Sequence, residues 1–317
     1  MSQSQDSASD RGQTAAATIL AVSPASLPEP GSRFTHLPSY AARRVLFTFS
    51  WLAACQLPKW LLSLRHASGT LYGMAKILVT GASGGIGAAI SRALATRGVT
   101  LALHYQNRRD AAETTRRSLK GDGHSLVQAD LSDPKAIERF WKEASADQPI
   151  DAVVNNAGIF PNHPPLTTDF EDWVAAWQRT LTTNLLGPAH LSHVAARAMV
   201  GQGGGRIVNI SSRGAYRGEP KAPAYAASKA GLNAFSQSLA KALAPNGVYV
   251  FVVAPGWVAT ERVANSVNDP AVIADQPLGR VATPDEVAEV VTFCALDAPA
   301  SLTGAILDVN GASYLRS

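Results

Sequence analysis

Tyr225 and Lys229 stand four apart in PAYAASKAG, residues 223–231, a run of small residues that also reads as a helix. That spacing puts both side chains on one face of a helix, within reach of a single bound molecule. A phenol beside an ammonium suits proton transfer. Free tyrosine has a pKa near ~10, too high for efficient exchange at neutral pH, and a neighbouring positive charge favours the phenolate. Thirteen residues before Tyr225, Ser212 directly follows the apolar run RIVNIS and offers a second hydroxyl. Plainer readings exist for both features. Tyr225 and Lys229 could form a surface i,i+4 pair, and Ser211-Ser212 a helix cap or turn.

The elements around these residues favour a shared site. From Lys76 onward, short apolar runs alternate with longer amphipathic segments: ILVT, LALHY, SLVQ, DAVVNN, RIVNIS, VYVFVVA and AILDV. Continuous apolar strands of this length are expected where both faces of a sheet are covered. Helical segments lie between them, including a long one from about Asp172 to Val200 and another from about Tyr225 to Leu243. Strict alternation predicts α/β architecture: a doubly wound parallel sheet of about seven strands with helices on both faces.

In such sheets ligands bind outside the carboxyl ends of the strands. The first strand runs into TGASGGIG, residues 80–87, with glycines at 81, 84, 85 and 87, and then directly into a helix. Glycines there let the backbone turn tightly and approach a pyrophosphate seated on the amides of the helix start. The spacing GxxxGxG differs from GxGxxG, and a glycine-rich turn that binds nothing is the bland alternative. NNAG, residues 155–158, ends the fourth strand and faces the same crevice as Ser212.

Taken in order, TGxxxGIG, NNAG, Asn184 in a long helix, Ser212, Tyr225-x-x-x-Lys229 and PGWVAT at 255–260 resemble the short-chain dehydrogenase/reductase family over about residues 76–312. The general look is similar to 3-oxoacyl-carrier-protein reductases and related carbonyl reductases. The resemblance implies a catalytic tetrad of Asn184, Ser212, Tyr225 and Lys229. In that reading Tyr225 gives a proton to a carbonyl oxygen and Lys229 lowers its pKa while binding the nicotinamide ribose. Ser212 hydrogen-bonds the substrate oxygen, and Asn184 holds a water that links Lys229 to solvent.

The resemblance also implies a single-domain Rossmann-like sheet and NAD(P) as cofactor. Gly81, Ser83, Gly85, Ile86 and Gly87 of the first turn would contact it, with Asn107 and Arg108 after the second strand. Asp130 and Leu131 after the third strand would meet the adenine. Asn156, Ala157 and Gly158, Tyr225 and Lys229, and Pro255, Gly256, Val258 and Thr260 would complete the site.

NAD-preferring sites usually place an acid after the second strand. Here LALHYQNRRD offers none before Arg108-Arg109, so NADP(H) is expected over NAD(H), although Gly84 stands where many NADP-preferring relatives carry a basic residue. A solvated helix start is the plainer account of the two arginines. The expected substrate is a small-molecule carbonyl or alcohol, with a 3-oxoacyl thioester, free or carrier-protein-bound, favoured. An alcohol, sugar or steroid dehydrogenase is the alternative enzyme, and a non-catalytic NADP-binding sensor or scaffold the alternative of another class. The segment from about Glu261 to Val281 would cover the substrate. Phe160, Trp257 and Tyr216 would line the pocket or belong to the core. The two long helices would pair copies into dimers or tetramers.

Composition narrows the remaining options. With 46% hydrophobic residues over 317, the chain can bury a sizeable core. The net charge of +4 comes mostly from residues 1–73, which hold six Lys/Arg against three Asp/Glu, leaving 22 against 21 beyond. A near-neutral main domain argues against a nucleic-acid partner. Cys55 and Cys294 have neither CxxC spacing nor a His cluster, so neither a disulfide framework nor a metal site is expected.

Residues 1–73 form an extension distinct from the domain at 74–317. Its first part is rich in Ser, Ala and Pro and reads as disordered. The apolar stretch that follows is interrupted by Gln56, Pro58 and Lys59, against the roughly 20 apolar residues a membrane span needs. The segment reads as an organelle transit peptide, or as the product of an upstream start with Met74 as the working one. The domain is thus expected to be soluble, in a stroma or matrix in the first case and in the cytoplasm in the second.

Overall fold

The computed structural model describes residues 75–264 and 269–316. The expectations for residues 1–73, including Cys55, lie outside the described residues, as do residues 265–268 of the segment expected to cover the substrate.

Seven strands form a parallel sheet: β1 (Lys76–Val79), β2 (Thr100–Tyr105), β3 (Ser125–Gln128), β4 (Ala152–Asn155), β5 (Gly205–Ile210), β6 (Val248–Pro255) and β7 (Ile306–Val309). Their spatial order, β3-β2-β1-β4-β5-β6-β7, reverses direction between β1 and β4. That reversal opens a crevice at the carboxyl ends of these two strands. Every pairing is parallel, with Leu78 opposite both Ala102 and Val153.

The apolar runs are continuous because both faces are covered. Ile77, Val79, Leu101, Leu103 and Val154 pack on one side with Ile90 and Leu94 of α1 (Gly85–Ala95). On the opposite side Leu78, Ala102 and Val153 pack with Phe140 of α3 (Pro134–Ala144), beyond the short α2 (Arg109–Arg117). Period-two alternation within β1 thus feeds two cores, and its four residues are all buried.

The long helix expected at 172–200 is not one regular helix. It comprises α4 (Phe170–Leu181), a π-helical turn at Thr182–Leu186 and α5 (Gly187–Gly201). Asn184 sits in that turn, fully buried. An inserted residue re-aims the side chains that follow, and such bulges are common at functional sites. After the four-residue α6 (Gly214–Arg217) comes α7 (Pro223–Leu243), which starts two residues earlier than expected, with Pro223 at its first position. The short α8 (Pro270–Ala274) and then α9 (Pro284–Thr292) precede β7. A capping box of Thr283 and Glu286 starts α9, and Asp133 caps α3. By contrast, Ala222 gives α7 no side-chain cap of its own.

Candidate functional site

The glycine turn and NNAG are stitched together across the switch point. The Thr80 hydroxyl at the end of β1 accepts the backbone N–H groups of Asn156 (2.9 Å) and Ala157 (3.0 Å). The Asn156 amide returns bonds to the carbonyls of Thr80 (2.9 Å) and Gly81 (3.2 Å). Gly87 is required by packing, since a Cβ there would lie 2.2 Å from the Gly81 carbonyl oxygen. The start of α1 therefore closes directly on the turn and aims its amides at the crevice.

His104, at the carboxyl end of β2, holds this turn from below. Its Nδ1 accepts the Gly81 N–H at 3.1 Å and its Nε2 faces the Ala129 carbonyl at 3.1 Å. A carbonyl only accepts, so the proton sits on Nε2. Burial lowers the imidazole pKa from 6.5 to about 4, which keeps it neutral in this role. In the sequence His104 is one residue of the run LALHY, and nothing there marks this role.

The four residues expected to form the tetrad lie on three elements. Lys229, only 5% exposed, donates from Nζ to the Ile210 carbonyl at 2.8 Å, which ties α7 to the end of β5. Nζ lies 5.7 Å from the centroid of the Tyr225 ring. The Ser212 hydroxyl accepts the Gly214 N–H at 3.0 Å, which fixes it at the mouth of β5. The Asn184 side chain brackets one residue: Oδ1 accepts the Ile159 N–H (2.8 Å) and Nδ2 donates to the Ile159 carbonyl (2.9 Å). Nδ2 also lies 3.3 Å from the Ser228 hydroxyl on α7.

A space remains beside these groups. A Cβ on Gly158 would lie 3.3 Å from Asn184 Oδ1 and 3.7 Å from Lys229 Nζ, so glycine keeps the approach to the lysine clear. A Cβ on Gly85 would lie 3.4 Å from the Thr260 methyl, which places PGWVAT over the turn. The resulting cradle of turn amides, Gly158 and Lys229 fits a dinucleotide laid across the strand ends. Pro255, Gly256 and Val258 hold the far wall, where Val258 and Ala282 are bridged and the backbone of Ala259 and Trp257 pairs with Ala282.

Arg108 reaches the outer rim. Its guanidinium donates to the Ser83 carbonyl at 3.2 Å, and a Cβ on Gly84 would meet Nη2 at 3.2 Å. The positive charge that Gly84 cannot supply thus arrives from the end of β2. The carboxylate of Glu261 lies 3.7 Å from the same nitrogen. Asn107, beside Arg108, is exposed. Asp130 accepts both the N–H (2.9 Å) and hydroxyl (2.7 Å) of Ser132, and these bonds hold its carboxyl below the usual range. Leu131 is buried behind it. Phe160 faces the site with its ring edge-on to Tyr225, centroids 4.6 Å apart. Tyr216 instead stacks on Tyr314 under the Arg316 guanidinium. Burial pushes the Cys294 thiol up to about 12, away from reactivity. Among the described residues no cluster of three His, Cys, Asp or Glu is placed to hold a metal, and no helix is long and apolar enough to cross a membrane.

A family model described as "Enoyl-(Acyl carrier protein) reductase" matches residues 81–312. The chain belongs to the short-chain dehydrogenase/reductase family. It is an NAD(P)-binding oxidoreductase of the class that acts on CH–OH and carbonyl groups. Among curated relatives it is similar to a cis-4-hydroxycyclohexanecarboxylate dehydrogenase of Sinomonas cyclohexanicum, 38% identical over 74% of this chain and 94% of that one. An acetoacetyl-CoA reductase of Shinella zoogloeoides is 35% identical over 75% and 97%. A crystal structure of a 3-oxoacyl (acyl-carrier-protein) reductase from Agrobacterium tumefaciens C58, with NADP bound, superimposes with a TM-score of 0.70. It is 30% identical and is matched over 76% of this chain and 96% of its own.

Proposed function

We propose that this short-chain dehydrogenase/reductase reduces a ketone to a secondary alcohol with NADPH, the favoured substrate being a 3-oxoacyl thioester. The observation that carries the reading is the pairing of Tyr225 with Lys229, whose ammonium is pinned by the Ile210 carbonyl beside the cleared Gly158. When bound, NADPH supplies the hydride that reaches the carbonyl carbon. Tyr225 gives the proton to the carbonyl oxygen, so the products are a secondary alcohol and NADP. The Lys229 ammonium favours the phenolate that Tyr225 becomes. Ser212 donates a hydrogen bond to the carbonyl oxygen, while its own oxygen accepts from the Gly214 amide. Asn184 acts chiefly through Ile159, keeping the chain after NNAG clear of the lysine, with a water at its Oδ1 as the link to solvent.

Arg108 at the open side of the turn supports NADPH over NADH, because a 2′-phosphate offers its guanidinium a dianion. Acyl thioesters are favoured by the acetoacetyl-CoA and 3-oxoacyl-carrier-protein reductases among the similar proteins, which also makes a carrier protein a candidate partner. A second reading is dehydrogenation of a cyclic alcohol, favoured by the relative that acts on a hydroxycyclohexanecarboxylate. Exposed Phe170, Val174 and Leu186 along the α4–α5 ridge support pairing with a second copy into dimers or tetramers. Light scattering tests that, with a monomer at micromolar concentration counting against it.

The deciding experiment follows absorbance at 340 nm with acetoacetyl-CoA, cyclic ketones and simple ketones, and in reverse with the alcohols. Fastest NADPH consumption with the thioester supports the reading. Faster turnover of a cyclic alcohol supports the second. Binding of NADPH with no consumption across the panel would make the protein a sensor or scaffold.

A further inference from the structure

The helix that carries Tyr225 and Lys229 lacks a local N-terminal cap. Ala222 has no side-chain oxygen and Pro223 has no N–H, so the first orphan donor of α7 is the backbone amide of Ala224. That amide is buried and donates to Nε2 of His163 at 3.1 Å, across 61 residues of sequence. Nδ1 of His163 lies 2.8 Å from the Pro161 carbonyl, which only accepts, so the proton sits on Nδ1 and Nε2 is free to accept. The His163 backbone N–H closes the arrangement on the Lys221 carbonyl at 2.7 Å. The imidazole is 1% exposed and wedged edge-on against Trp173 of α4.

His163 belongs to the segment that follows NNAG, and the same segment contacts the site twice more. Asn184 brackets Ile159, and the next residue, Phe160, lies against the Tyr225 ring. One loop therefore touches the proton-donating tyrosine through its ring and, via Ala224, through the start of its helix. We infer that His163 is a positioning residue for Tyr225, supplying from another element the cap that α7 lacks and so setting where the phenol stands relative to Lys229. This rests on the proposed role of Tyr225. Lys229 has its own tether on Ile210, so loss of the cap moves the tyrosine more than the lysine and disturbs chemistry more than cofactor binding.

The test compares His163→Leu, His163→Gln and His163→Asn in the full chain, with Tyr225→Phe as reference. Gln can place an acceptor where Nε2 stood, whereas Asn reaches only the Nδ1 position. A misplacement of about 1 Å can cost ~10²-fold, so Leu is expected to lower kcat at least about tenfold. Its KM for the carbonyl and Kd for NADPH should stay within about twofold, because the lysine and turn contacts remain. Hydrogen exchange at the first turn of α7 should quicken. The rising limb of alcohol oxidation with pH should move toward the value of free tyrosine, about 10. Gln should restore kcat and the limb, and Asn should not.

Retention of wild-type kcat and slow exchange by His163→Leu, while Tyr225→Phe is inactive, overturns the inference and leaves the function standing. If Leu fails to fold, Gln and Asn decide the matter, and equal activity of those two overturns the cap. A Tyr225→Phe variant with full turnover would instead bring down the proposed function, and the exchange data would still report on the cap alone.

Discussion

The two sides of the crevice are built to different tolerances. On the side proposed for proton transfer, Lys229 is 5% exposed and Asn184 fully buried, and each is fixed by backbone partners at 2.8–2.9 Å. On the outer rim, the side chains of Arg108 and Glu261 are 62% and 82% exposed and meet at 3.7 Å. A general acid works only from a set geometry, so its surroundings are preorganised. A 2′-phosphate needs only a nearby charge, and the exposed Arg108–Glu261 pair itself contributes about 0–1 kcal/mol. On the proposed function, reaction type is set by buried contacts, while cofactor choice hangs on solvated side chains that few neighbours restrain.

That contrast ranks the expected effects. Tyr225→Phe should lose about 10²- to 10⁴-fold in kcat with NADPH affinity unchanged, and Lys229→Ala should lose at least as much while also weakening the cofactor. Stopped-flow kinetics and fluorescence titration separate the two. A loss below tenfold for both would erase the distinction between the sides.

The next effect sharpens the comparison, because His104 is a buried group on the cofactor side. Its pKa is depressed in the folded chain from 6.5 to about 4, so the unfolded chain takes up the proton first on acidification. The stability it contributes is complete above pH 6.5 and is lost as pH falls toward 4, a decrease of about 3 kcal/mol. Urea unfolding across this range should show a steeper slope for the wild type than for His104→Asn, whose amide oxygen can still accept the Gly81 N–H. Parallel slopes would assign the acid sensitivity elsewhere.

Smaller effects belong to the rim. Replacing Arg108 by a neutral residue, alone or together with replacement of the already neutral Asn107, should weaken NADPH about 10- to 100-fold, the range of a lost charge-assisted bond, and leave NADH nearly unchanged. Equal weakening of both, or a wild type that prefers NADH, would contradict the assignment. Glu261→Gln removes a carboxylate that draws on the same guanidinium, and should tighten NADPH by no more than about fivefold. Calorimetric titration with both cofactors reads the two variants together.

The same division explains what the sequence disclosed. All seven apolar runs form strands within a residue or two of expectation, because strands covered on both faces write themselves as uninterrupted apolar segments. The glycine turn and the Tyr225–Lys229 spacing are local too, each legible within ten residues. What escaped depends on contacts between distant segments. Nothing near Ala222 announces that its helix is capped by His163, and nothing in LALHY marks His104 as a strut under Gly81. The π-helical turn at Asn184 leaves the residue pattern helical and only shifts its register, so a continuous helix was the natural expectation. Arg108 was expected to meet the cofactor after the second strand, but its place beside Ser83 and Gly84 needed the fold.

The central claim is that Tyr225 exchanges the proton with the substrate oxygen under the influence of Lys229. Its most direct test is the pH dependence of alcohol oxidation by the wild type and by Tyr225→Phe, each saturated with NADP. The wild-type rate should rise with an apparent pKa well below the ~10 of free tyrosine, and that limb should be absent from the residual activity of the variant. A Tyr225→Phe enzyme that keeps the limb and most of the wild-type rate would show that another group carries the proton.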